Sequence, residues 1–370
     1  MIPFESWPQG ALMAGILGLV WTLGGSVPAL AEESEGQCFE RSYTINGTLE
    51  NDLWGSGSDQ HFTHGSRLSF VQSKTPVDGP CPDEQRESGG FDSIRNPLNR
   101  LLGWNIPLIG KIPTQQISFI LGQNIFTPED ITNPNLIVND RPYAGWLYFG
   151  LGLIKLKEEG GLTYFDTFEL DVGIVGPDSY AEDIQIWWHA NVSNSPRPEG
   201  WRHQLKNEVG FVLNYEKKLR QPWIKNGLLR LQMDFMPSAG FALGTVYTYA
   251  SAGLMWRLGW NLKSDFGPPR IRPGAQGSDF PPSRKDHQVT FYVYAGGEGR
   301  VMGVNIFLDG NTFTESHQVD KKIFVGDAHF GVVLVHHWLR LSFSQVFRSS
   351  EFNGQKELSE FGSLSLSVAW

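Results

Sequence analysis

A chain of 370 residues with 13% aromatic residues, 42 glycines and a formal net charge of −9 lacks the basic stripe that nucleic acid demands, so nucleic acid is excluded as a partner. A charged content of 19% and a mean hydropathy of −0.25 are unusual for a membrane protein built of helices. They are ordinary for a transmembrane barrel, whose strands show lipid an apolar face and the lumen a polar one.

The first predicted element is a signal peptide over residues 1–31. Its apolar stretch runs from Ala11 to Leu23, and Ala29 and Ala31 form the A-x-A pattern that precedes cleavage before Glu32. The start carries Glu5 and no Lys or Arg, so an N-terminal anchor is the competing reading; against it, the stretch is shorter than the roughly 20 residues a span needs. Residues 32–370 are then read as one outer-membrane barrel domain. Cys38 and Cys81 both follow the cleavage point, and a disulfide and two separate thiols are both open readings.

Alternation with a period of two predicts strands over 42–53, 62–73, 115–126, 143–155, 162–175, 208–219, 228–241, 245–262, 288–299, 323–336, 339–347 and 358–370. The last shows the pattern plainly: Leu364, Leu366, Val368 and Trp370 alternate with Ser363, Ser365, Ser367 and Ala369. A soluble sandwich also alternates. Strand lengths near the 9 to 11 residues of a membrane barrel, aromatics near the strand ends and a terminal aromatic residue favour the transmembrane antiparallel up-and-down β-barrel. Twelve strands is an even count that returns both termini to the periplasm.

Counting from a periplasmic N-terminus places the outer loops near 54–61, 127–141, 176–207, 242–244, 303–322 and 349–356, and two long inner connections at 76–113 and 264–286. The loop 176–207 contains a predicted short helix. Ser179 to Glu182 has capping-box spacing, Ile184, Trp187 and Trp188 form an apolar stripe, and Gln185 and His189 share the neighbouring face. Such a helix is expected to lie against the barrel wall or the lipid surface.

Four clusters fall at this outer rim: Glu50-Asn51-Asp52, His61-Phe62-Thr63-His64, Gln185 with His189, and Asn139-Asp140-Arg141-Pro142-Tyr143. Singly each has a bland reading. Asn51-Asp52 and Asn139-Asp140 suit turns, and a lone helical histidine is more often a packing residue. His61 and His64 point to opposite faces of a regular strand, which argues against a shared ion. Together they supply a general base beside the hard oxygen ligands that calcium takes, which suffices for ester hydrolysis.

The chain resembles the outer-membrane lipid A 3'-O-deacylases, the LpxR family. The likeness rests on Glu50-Asn51-Asp52, Phe62-Thr63-His64-Gly65, the run from Gly122 to Pro128, the run from Asn139 to Gly145, Gly173 to Pro177, Gln185 with His189, Gly200-Trp201, Gln204-Leu205 and Asn207-Glu208, in order. The resemblance implies a twelve-stranded barrel in the bacterial outer membrane with its site facing the outer leaflet. It also implies calcium dependence and release of the acyloxyacyl group from the 3' position of lipid A, the lipopolysaccharide anchor. By position, His189 is the base, and Asn51, Asp52, Thr63 and Gln185 build the site and its cation environment. Family members carry an acidic residue about six positions after that histidine. Here Ser195 stands there and Glu199 is the nearest candidate ligand; a lysine of the second outer loop is also unmatched, the stretch reading Thr132-Asn133-Pro134. Arg197, Arg202 and Lys206 could meet lipid A phosphates or serve as solubility charge. The competing functions are a catalytically inactive lipid-binding or structural barrel, and an outer-membrane phospholipase, whose usual serine and histidine arrangement is not evident.

Overall fold

The computed structural model describes residues 38–55, 61–77, 116–224, 230–262, 265–271 and 289–370. The signal peptide over 1–31, the Cys38–Cys81 pairing and the greater part of the two inner connections lie outside them. The chain divides into two units, and the barrel is the one made of residues 39–76 and 114–370.

The described residues form twelve strands: β1 (Cys38–Asn51), β2 (His61–Val77), β3 (Gln116–Thr127), β4 (Ala144–Glu159), β5 (Leu162–Val175), β6 (Glu208–Ile224), β7 (Gln232–Gly244), β8 (Tyr247–Trp260), β9 (Thr290–Asn305), β10 (Phe324–His336), β11 (Leu339–Arg348) and β12 (Ser359–Ala369). Each pairs with its chain neighbours and β1 pairs antiparallel with β12, so the sheet closes into a barrel with no free edge. Several strands run past the alternating stretch that predicts them. β4 reaches Glu159, for example, because the ladder continues to the Glu159–Leu162 pair and is closed by Gly160 and Gly161, both at positive φ (62° and 79°). Two left-handed residues in a two-residue hairpin are the turn that matches strand twist.

The alternation is inverted relative to a soluble protein. On β12, Ser363, Ser365 and Ser367 are buried while Leu364 and Leu366 are exposed; on β11, Arg340, Ser342 and Ser344 are buried while Leu341 and Phe343 are exposed. Polar groups line the lumen and apolar groups face outward, the arrangement that lipid requires. Inside, Arg67 grips Glu169 with two hydrogen bonds of 2.7 and 2.9 Å, and Asp234 receives both Arg220 and Arg257. Residues 265–271 also lie in this interior. Phe266 stacks on Phe165 at 4.4 Å, and the Ile271 amide donates to Glu50 Oε1 at 2.8 Å.

The interior position of Asp265, outside the strands, shows how such charge is tolerated. Burial alone would raise its carboxyl, but Arg257 and Arg340 outweigh that and hold it below the usual carboxylate range.

Candidate active site

The site begins with a break in the outward pattern of β3. Leu121 is 53% exposed, as a lipid-facing residue should be, yet Gln123, Ile125 and Thr127 in the same outward row are buried, Ile125 at 1%. The loop between β5 and β6 covers the first two. Gln123 Nε2 donates to the Ser179 carbonyl at 2.6 Å, and Ile125 packs with Tyr143, Ala181 and Trp201. On β4 the approach is so close that a Cβ on Gly145 would lie 2.1 Å from Ser179 Oγ, so only glycine admits the loop there.

That loop holds helix α1 (Ala181–Trp188), which continues as a π-helical turn over His189–Ser193. The predicted capping box does not form. Tyr180 caps the helix from a left-handed conformation (φ 57°) with no side-chain hydrogen bond, while Ser179 Oγ donates back to the Gly176 carbonyl. The predicted apolar stripe is also divided. Trp187 (58% exposed) and Ile184 face away from the wall, Trp188 lies against His64 with ring centroids 5.4 Å apart, and the buried face is Ala181, Gln185 and His189. A helix beside a polar groove, with lipid outside, turns its polar face inward.

His189 is positioned by main chain. Its Nδ1 lies 2.6 Å from the Pro196 carbonyl, which can only accept, so Nδ1 carries a proton. Gln185 precedes it by one turn, and its Oε1 accepts from Trp201 Nε1 at 2.8 Å. Trp201 packs on Tyr143 at 4.9 Å, and Tyr143 Oη donates to the Ile131 carbonyl at 3.0 Å. Burial pushes the Tyr143 phenol up, so it stays a neutral donor.

The opposite wall comes from β1 and β2. Asn51 continues the row of exposed Ile45 and Leu49 but is buried, and it caps the 3-10 turn Asp52–Trp54 with Oδ1 accepting from the Leu53 amide at 3.0 Å. Its Nδ2 donates to the Thr63 carbonyl at 2.9 Å, and Thr63 Oγ1 shares a hydrogen with Thr127 Oγ1 at 2.6 Å. Thr63 is a bulge residue: Phe62 pairs with Phe126 and His64 with Ile125, so Thr63 has no partner across the ladder. Asp52 is buried beside them. His61 packs instead on Phe352, with centroids 5.8 Å apart, so the two histidines of this segment have different neighbours.

Asn51, Asp52 and Thr63 thus gather at one side, and Gln185 and His189 share one helix face, with the His64–Trp188 contact joining the two sides. Glu199 is placed elsewhere. The chain leaves the π turn through left-handed Asn194 (φ 53°), the Glu199 amide donates to the Ile131 carbonyl at 2.8 Å, and its side chain is exposed. Three residues that sequence reasoning gave no individual role belong here: Gln123, Tyr143 and Trp201. Their signal was position alone, each lying inside a segment of the family likeness. The Pro196 carbonyl, being main chain, has no sequence signal.

The oxygens of Asn51, Asp52 and Thr63 are an amide, a carboxylate and a hydroxyl, all buried and all hard donors of the kind calcium takes. Only one carboxylate is among them, and no group of three His, Cys, Asp or Glu side chains converges among the described residues. A calcium ion fitting this set would draw the rest of its shell from water and substrate oxygens.

A closed barrel with an inverted face pattern, and with polar residues buried under a loop on its outward face, defines an integral outer-membrane protein with a candidate site at its rim. The chain belongs to the family described as outer membrane protein LpxR, whose model matches residues 17–370. Among solved structures it is similar to LpxR from Salmonella typhimurium, at 19% identity and a TM-score of 0.64, over 88% of this chain and 99% of that one. Weaker likenesses are the β domain of the Bordetella autotransporter BrkA (8% identity, TM-score 0.43, 90% of this chain and 100% of that one) and the translocator domain of NalP from Neisseria meningitidis (11% identity, TM-score 0.32, 98% and 96%). No curated protein matches the chain.

Proposed function

We propose that this protein is a lipid A 3'-O-deacylase, a carboxylic ester hydrolase that removes the 3'-linked acyloxyacyl group from lipid A at the outer leaflet of the bacterial outer membrane. The observation that carries the reading is the surroundings of His189: buried, oriented by the Pro196 carbonyl, and carried by a helix that packs on β3 and β4 from the lipid-facing side of the wall rather than from the lumen. A lipid ester reaches that side from the membrane plane.

In the mechanism, His189 Nε2 takes a proton from water as the hydroxide attacks the ester carbonyl carbon, and the Pro196 carbonyl stabilises the imidazolium that forms. Collapse of the tetrahedral intermediate expels the 3' oxygen, which recovers the proton from His189, leaving a 3'-hydroxyl and a free acyloxyacyl acid. Asn51, Asp52 and Thr63 would hold calcium, which when bound supplies Lewis-acid polarisation of the ester. Arg197, Arg202 and Lys206 are exposed on the covering loop, where they can meet the anionic headgroup.

The test is mass spectrometry of lipid A after incubation with the refolded protein, in calcium and in chelator. Loss of the 3' acyloxyacyl group with calcium is the expected result. Unchanged lipid A beside a properly folded barrel would sink the enzyme reading in favour of an inactive binding or structural barrel.

A further inference from the structure

The Gln185 amide is half committed. Its oxygen accepts from Trp201 Nε1, while its buried Nε2 has no hydrogen-bond partner among the described residues. An indole N–H only donates, so the reverse orientation of the amide would set two donors against each other. Trp201 therefore decides which end of Gln185 is left over, and that end is the donor.

Trp201 is itself held firmly. It is buried at 1% exposure, opens the 3-10 turn Trp201–His203, and packs on Tyr143; a Cβ on the preceding Gly200 would lie 2.5 Å from that tyrosine ring. Leaving a buried donor unpaired is costly, so the arrangement calls for an acceptor, which a bound substrate can bring. One helical turn along the same buried face stands His189. In ester hydrolysis, the acceptor that gains charge next to the attacking water is the carbonyl oxygen.

We propose that Trp201 is a positioning residue that locks the Gln185 amide with its N–H2 toward the reacting ester, making Gln185 the donor that holds the developing oxyanion. The assignment rests on the hydrolase reading given above. Trp201 touches no reacting atom and acts only through Gln185.

The experiment measures steady-state hydrolysis of 3'-acylated lipid A in detergent micelles by the full chain and its variants, with heat-modifiable gel mobility to certify the folded barrel. Gln185→Leu removes the donor and lowers kcat about 100-fold. Trp201→Phe frees the amide to turn and lowers kcat about 10-fold, with KM changed less than about twofold. In a Gln185→Leu background, Trp201→Phe changes kcat less than about twofold, because the group it positions is gone. If Trp201→Phe fails to fold, site-specific replacement of Trp201 by 3-benzothienylalanine keeps the ring shape and deletes only the N–H; the same fall in kcat is expected. Active wild type with unchanged kcat in the Trp201 variants, a rise in KM alone, or effects that multiply in the double variant would overturn the assignment and leave the hydrolase reading standing. Folded wild type that leaves lipid A intact overturns both.

Discussion

The lumen and the rim groove both bury polar groups, but they treat them differently. In the lumen arginines and carboxylates cluster: Asp327 receives Arg300 at 2.5 Å, Arg348 at 3.0 and 3.1 Å and Arg270 at 3.5 Å, and Arg257 holds Asp234 with two nitrogens at 2.9 and 2.7 Å. In the groove the hydrogen bonds are directed, each fixing one end of a side chain: Nδ1 of His189, Oε1 of Gln185, both ends of Asn51. Clustered opposite charge holds a barrel together, whereas single bonds that fix a side chain's orientation prepare groups for something that arrives. Substitutions in the two regions should accordingly separate stability from turnover.

The largest expected effect is on catalysis. His189→Ala should lower kcat about 1,000-fold while the barrel keeps its heat-modifiable mobility, because the base is lost and the wall is untouched. Retained hydrolysis would remove His189 from its role. The converse is Asp327→Ala, which removes a carboxylate shared by three luminal arginines and should cost about 3–5 kcal/mol in urea unfolding from detergent, with hydrolysis per folded molecule unchanged. Should turnover fall in step with stability, lumen and groove are not separate.

Smaller effects sharpen the division. Asp52→Asn should reduce hydrolysis about tenfold and flatten its response to added calcium, which a calcium titration reads directly. Gln123→Leu deletes the bond that ties the covering loop to the wall and should cost about 1–3 kcal/mol of loop docking, seen as faster protease cleavage after residue 190.

The smallest effect is one of pH. Glu351, in the loop between β11 and β12, would be raised by burial, but Arg141, Arg348 and Arg300 outweigh that and hold its carboxyl low. A depressed folded value means its stabilisation is complete above the ordinary glutamate value of about 4.3 and disappears as pH falls through the lower folded value. Protease resistance of the loops that meet at Glu351 should therefore persist to pH 5 and fall only in stronger acid, and Glu351→Gln should abolish that acid step.

The twelve strands were legible because period-two alternation is written in residue type, and lipid makes the contrast between faces large. The site was legible in its members but not in its assembly. The stripe of Ile184, Trp187 and Trp188 reads as a buried face only if the surroundings are water; with lipid outside and a polar groove inside, Gln185 and His189 take the buried positions. Ser179 to Glu182 has the letters of a capping box, but Gly176 (φ 105°) and the 3-10 turn Pro177–Ser179 consume the serine first. Glu199 is near His189 in sequence, and the left-handed Asn194 sends it to Ile131 instead. Orientation of His189 by a carbonyl could not be read, since every residue offers one.

The unpaired Thr63 works as a phase shift in the wall. Beyond it, the odd-even rule that assigns side chains to lumen or lipid restarts with opposite sign, so Phe62 joins the luminal cluster with Phe126 and Phe361 while His64 meets Trp188 on the outside. Excising that single residue would mend the ladder with Phe62 still opposite Phe126 and His64 still opposite Ile125, and would remove the carbonyl and hydroxyl that Asn51 and Thr127 meet. A site on a barrel rim can therefore be created or erased by a one-codon insertion or deletion, a kind of change that tables of point substitutions never sample.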